Sequence, residues 1–216
     1  MTPSATFILI LTLTSCYSIL RYHVFGEVPW TQLPLYVLNK SVSWSAVTLL
    51  ALAYLRWNKL AARHLGVLGL FLTIGHILMS FSLLSPAYYA KFYAGPQFTA
   101  TASAALLAGV GAAVILALPG IATLPGVRTD WGDVRWIRWQ RAGYWTLALT
   151  AAHCAFMGWQ GWLTPAKWHG GLPPITLLGT LTALLPLLLK LRARPARPLP
   201  ASTATPGRSS NISAGK

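Results

Sequence analysis

Two histidines are the residues of this chain best placed to do chemistry. His76 lies inside the apolar run RHLGVLGLFLTIGHILMSFSLL (63–84), and His153 inside RWQRAGYWTLALTAAHCAFMGWQGW (138–162). An ionisable side chain at membrane depth is expensive and needs a partner or a function. His76 stands 13 residues after Arg63, and His153 stands 13 residues after Gln140. At 1.5 Å per residue both sit roughly 20 Å from one end of their helices. On helices running in the same direction, the two imidazoles share a plane. Two neutral imidazoles facing each other across a bundle core are what a haem iron requires for six-coordinate, bis-histidine ligation. The competing reading is a pair of core histidines hydrogen-bonded to neighbouring hydroxyls such as Thr73 and Thr150.

Other residues give weaker signals. A metal site of another kind needs more ligands, and the three acids, Glu27, Asp130 and Asp133, all fall outside the apolar runs. Cys154 points about 100° away from His153 around the helix, and both it and Cys16 read as buried thiols. His64 stands at the mouth of its run, 12 residues before His76. His23 and His169, with Arg21, Lys91 and Lys167, form either a basic vestibule for an anion or ordinary solvated flanks. Gly69, Gly75, Ala151 and Ala152 near the histidines suit a flat macrocycle or close helix packing equally well. Gly109 and Gly111 read as packing glycines rather than a dinucleotide fingerprint, because no strand precedes them and no acid follows. Tyr88, Tyr89, Tyr93, Trp159, Trp162 and Trp168 fit an interfacial aromatic belt.

The elements that must hold these residues are membrane helices. The 216 residues are 55% hydrophobic and 9% charged, against about 25% charged in soluble domains. Six stretches are long and apolar enough to cross a bilayer: Thr6–His23, Leu38–Leu55, His64–Leu84, Phe98–Leu118, Trp139–Trp159 and Pro174–Leu191. Net charge is +14, yet the cations lie in short clusters between the spans, which argues against nucleic acid as a partner. Thirteen of the 17 lysines and arginines fall on one side, leaving Arg21, Lys40, Lys91 and Lys167 on the other. The expected fold is therefore all-α: a polytopic six-helix transmembrane bundle over residues 1–191 with both termini cytoplasmic. This orientation runs the third and fifth spans outward together and places both histidines toward the outer leaflet. Pro186 is expected to kink the last span. Residues 192–216, rich in Arg, Pro and Ser, are expected to form a disordered cytoplasmic tail. Leu13-Thr14-Ser15-Cys16 has the look of a lipoprotein cleavage box, but Met1–Thr6 carries no cation, so a retained first span is expected.

The run through Leu124, Pro125, Val127, Trp136, Gln140, Gly143, Tyr144, His153, Gly158 and Trp159 resembles the fifth-helix region of the STEAP metalloreductases. Arg63, Leu65, Gly66 and His76 resemble their third helix, and the likeness extends over about 100 residues, from Arg56 to Pro174. More broadly it is a likeness to the ferric-reductase-like transmembrane domain. The resemblance implies a b-type haem held by His76 and His153, and electrons passed outward from a cytoplasmic flavin such as FAD to an acceptor of the ferric or cupric type. Gln140 and Arg141 stand where the family approaches the flavin. With only five residues ahead of the first span, a nucleotide-binding domain is not expected within this chain. A separate flavin or NAD(P)H reductase, or the quinone pool, is then the expected donor. Where the haem subunit of periplasmic methionine sulfoxide reductase has a further histidine, this chain has Gln140, so a second haem of that type is not expected. The leading reading is a haem b electron-transfer protein of the metal-reductase kind in a bacterial inner membrane, in a family that often forms homo-oligomers. The alternatives are a haem subunit feeding a periplasmic reductase and a non-redox membrane anchor.

Overall fold

A computed structural model describes residues 2–55 and 59–192; the expected tail from 193 onward lies outside the described residues. Helix α1, Pro3–Ile19, starts where the Thr2 hydroxyl accepts from the Ala5 amide and Pro3 occupies the first turn, where its missing N–H costs nothing. It ends in a π turn, Leu20–Val24. A second π turn, Leu33–Val37, leads into α2, Leu38–Tyr54. Helix α3, Lys59–Leu83, is followed by the short α4, Pro86–Tyr89. A two-residue hairpin comes next, β1 Tyr93–Ala94 against β2 Gln97–Phe98, turned by Gly95 at φ 64°. Helix α5, Ala100–Ile121, is capped by the Thr99 hydroxyl on the Ala102 amide. Helix α6, Val127–Trp162, breaks at Gly132, whose φ of 70° is open to glycine at little steric cost. Helix α7, Ile175–Arg192, runs unbroken through Pro186, and α5 likewise contains Pro119; the expected kink does not end α7.

The all-α expectation holds, since the hairpin is the one piece of sheet among the described residues. Five helical segments are long and apolar enough to cross a membrane: Pro3–Val24, Trp30–Tyr54, Leu60–Leu83, Ala100–Ile121 and His169–Arg192. The run Trp139–Trp159 lies inside α6, which is not among the five. From residue 133 to Trp162 α6 runs about 45 Å, well beyond the roughly 30 Å of a hydrocarbon core, and the turns around its break carry Arg128, Asp130, Asp133 and Arg135.

Helix α2 is the centre of the bundle. It packs against α1, α3 and α7, while α6 packs between α5 and α7. Leu50 of α2, Leu116 of α5 and Leu147 of α6 form an apolar plug, with Leu70 of α3, Leu187 of α7 and Tyr54 packed against it. A second cluster joins Val47, Ala151 and Ala183. The close approaches depend on glycine. A Cβ on Gly69 would meet Leu50, one on Gly143 would meet the Tyr54 hydroxyl, and one on Gly158 would meet Thr176. Gly69 and Ala151 are therefore packing residues rather than room for a macrocycle. Apolar side chains such as Phe71, Leu78 and Phe81 on α3 and Leu107 and Val114 on α5 remain exposed, as lipid-facing residues do.

Candidate functional site: the paired histidines

His76 and His153 stand at matched heights. Leu70 and Leu147 share the apolar plug, and six residues further along each helix, about 9 Å, come His76 and His153. Arg63, early in α3, donates to the Thr123 carbonyl just ahead of α6, and Lys91, beyond the end of α3, donates to the Met157 carbonyl late in α6, so the two helices run in the same direction. Both side chains are half-buried. The helices that carry them pack chiefly on other partners, α3 on α2 and α6 on α5 and α7.

Each imidazole is held by its Nδ1 atom. For His153 the partner is the backbone carbonyl of Ala105 on α5, at 2.8 Å. A carbonyl can only accept, so His153 Nδ1 carries the proton and Nε2 keeps its lone pair. For His76 the partner is Asn39 Oδ1 on α2, at 2.7 Å, while Asn39 Nδ2 donates to Ser80 Oγ at 3.0 Å. Ser80 stands one turn after His76, with its hydroxyl 3.4 Å from the same Nδ1. Asn39 is fully buried at the start of α2, directly after the π turn Leu33–Val37, a distortion that often marks functional positions. Of the hydroxyls anticipated as partners, Thr73 donates instead to the Gly69 carbonyl at 2.8 Å. Gly109 backs the second imidazole, and a Cβ there would lie 2.8 Å from His153 Nδ1. Gly75 has nothing within 4 Å of a would-be Cβ.

Nδ1 held by a carbonyl oxygen and Nε2 left free is the arrangement that metal-ligating histidines adopt, because the second hydrogen bond fixes the tautomer and the ring plane. Among the described residues no group of three or more His, Cys, Asp and Glu comes together. A pair of imidazoles suits an iron whose four other ligands are supplied by a porphyrin.

The other candidates are placed apart from this pair. Gln140, on the long helix below His153, donates from Nε2 to the Pro119 carbonyl at 3.4 Å, and its own carbonyl accepts from Tyr54 at 3.0 Å. Arg141 is exposed and lines an open groove of about 590 Å³ with Arg138, Trp139, Ala142 and Trp145. His64 is exposed, with Nδ1 toward the Leu60 carbonyl at 2.9 Å. Arg21 and His23 neither line a vestibule nor face solvent. Both are buried, Arg21 donating to the Leu172 carbonyl, and His23 held by the Val28 carbonyl and stacked on Trp30 at 4.4 Å. Both thiols are free; Cys154 faces Gly179, but Cys16 is exposed on α1 rather than buried. Tyr88 and Tyr89 do not simply belt the interface: they fold onto Tyr36, at 5.8 and 5.9 Å between ring centres. On the Lys91 side of the bundle, burial lowers the pKa of the Lys91 amine, whose Nζ donates to the Met157 carbonyl at 2.8 Å.

Asn39, Ser80, Ala105 and Gly109 are the site residues that the sequence did not announce. Ser80 was the most legible, at the i+4 position from His76.

No family model matches the sequence, and no curated protein matches it.

Proposed function

We propose that the chain is a membrane electron-transfer protein of the ferric-reductase-like kind, with His76 and His153 as the axial ligands of one b-type haem. The observation that carries the reading is the pair of Nδ1 hydrogen bonds, to Asn39 and to Ala105, which leaves an Nε2 lone pair on each of two helices, α3 and α6. In this reading the latter part of α6 is a sixth span, and the cation clusters put both termini in the cytoplasm of a bacterial inner membrane. The haem, when bound, supplies one-electron chemistry. The chain's own residues fix the ring of each imidazole through its Nδ1 partner and close the cytoplasmic side with Leu50, Leu70, Leu116 and Leu147. Electrons enter at the cytoplasmic end from a flavin or a separate reductase near Arg141, or from quinol, and leave outward to a metal chelate or a partner reductase.

The deciding measurement is a visible spectrum of the protein purified from haem-replete cells, oxidised and dithionite-reduced. A low-spin Soret band is expected in the wild type, and its loss in both His76→Ala and His153→Ala. A colourless wild type leaves the anchor reading. Reduction of a soluble ferric chelate by the pre-reduced protein alone separates a self-sufficient metal reductase from a subunit that requires its partner.

A further inference from the structure

Lys40 is a cation inside the second apolar helix, hydrogen-bonded to Tyr36 but with no carboxylate partner among the described residues. Its ammonium lies over the rings of Tyr36, Tyr22 and Tyr89, at 4.2, 5.2 and 5.7 Å from their centres. Tyr36 also packs on Tyr22, at 6.4 Å, so the rings hold one another in place. Ring faces attract a cation, but they carry no net charge. In a poorly solvated place an ammonium still calls for an anion. The three acids of the chain, Glu27, Asp130 and Asp133, are all among the described residues, and none is paired with Lys40; the ion pair present joins Asp133 to Arg128 at 2.7 Å. The missing counter-charge therefore has to come from something that is not an acidic side chain of this protein. Position says what. Lys40 directly follows Asn39 on α2, and the Asn39 amide oxygen holds His76.

We propose that Lys40 binds a propionate carboxylate of the haem, with Tyr22, Tyr36 and Tyr89 as a rigid cage that fixes the ammonium. The proposal rests on the haem reading above. Such a contact retains the cofactor, and it raises the reduction potential, because a nearby positive charge favours the state that has gained an electron.

The test loads wild type, Lys40→Met and Lys40→Arg with haem and with haem dimethyl ester, in which both carboxylates are blocked. Transfer to excess apomyoglobin measures retention, and spectroelectrochemistry measures the midpoint potential. Lys40→Met is expected to lose natural haem about tenfold faster than wild type, the scale of one hydrogen bond to a charged group. Its midpoint should fall by about 59 mV, a tenfold shift of a one-electron equilibrium. Lys40→Arg should stay near wild type. With the ester the retention difference between wild type and Lys40→Met should vanish, and wild type itself should release the ester about as fast as Lys40→Met releases natural haem. Equal retention of natural haem by wild type and Lys40→Met overturns the proposal, as does an undiminished difference with the ester. A wild type without a bis-histidine spectrum overturns the haem reading instead, and this proposal with it.

Discussion

A histidine that presents one ring nitrogen to a metal has to be steadied by the other, and the two imidazoles are steadied differently. His153 leans on a backbone carbonyl that no substitution at Ala105 removes, whereas His76 depends on one side chain, Asn39. Asn39→Leu keeps the volume and deletes the acceptor. Loss of such an outer partner typically costs 10–100-fold in metal affinity. A drop of about that size is expected when haem is titrated into the apo-protein and followed at the Soret band, and binding as tight as wild type would remove Asn39 from the site. Ser80→Ala should cost less, since Ser80 mainly braces the Asn39 amide at 3.0 Å. The histidines themselves were legible, because an imidazole in an apolar run stands out whatever surrounds it. Asn39 was not. Read along the chain it is the first residue of a glycosylation sequon, and its role depends on how α2 and α3 slide against each other, which hydropathy does not encode.

Helices come close where side chains are small, and the approach of α5 to α6 at His153 depends on Gly109. A valine there must push into the imidazole, and overpacking of this kind costs about 1–3 kcal/mol. Gly109→Val is expected to lower the thermal midpoint and to disturb the haem spectrum together. Gly111→Ala should do neither, because its Cβ meets Leu149 at an ordinary 3.4 Å. A Gly109→Val protein with wild-type spectrum and midpoint would show that His153 is held less tightly than the geometry says. Element positions followed well from hydropathy, with five of the six expected spans recovered as helices that composition alone marks as membrane-crossing. The remaining stretch, Trp139–Trp159, is helical within α6 but is not among those five. Helix α6 continues past the apolar stretch into Trp136, Arg135 and Arg128, where Arg128 pairs with Asp133 and Trp136 donates to the Ala122 carbonyl at 2.8 Å. The break at Gly132 likewise rests on a single positive φ rather than on any change of pattern.

At the scale of the molecule, an apolar exterior and a layered interior divide the work. Leu107 is 74% exposed near the middle of α5, so a charge there faces lipid. Leu107→Lys should cost about 2.5–3.5 kcal/mol of insertion free energy, read as a lower membrane-inserted fraction on expression; normal insertion would place that face against protein instead. Reporter fusions should find the Pro86–Tyr89 turn and the His169–Gly171 turn on one side and residue 192 on the other, and any other pattern would reverse or break the six-span topology. The apolar plug then has a further consequence. The leucines Leu50, Leu70, Leu116 and Leu147 carry no group that relays a proton, and the Tyr54 hydroxyl beside them is engaged with the Gln140 carbonyl, so under the proposed function an electron crossing that layer would travel without a compensating positive charge. Its passage would then be electrogenic. Each 100 mV across the bilayer is worth about 2.3 kcal/mol for a full elementary charge. Outward electron flow should accordingly run faster in inside-negative vesicles and slow when valinomycin and potassium collapse the gradient, making the voltage of the energised membrane part of the driving force.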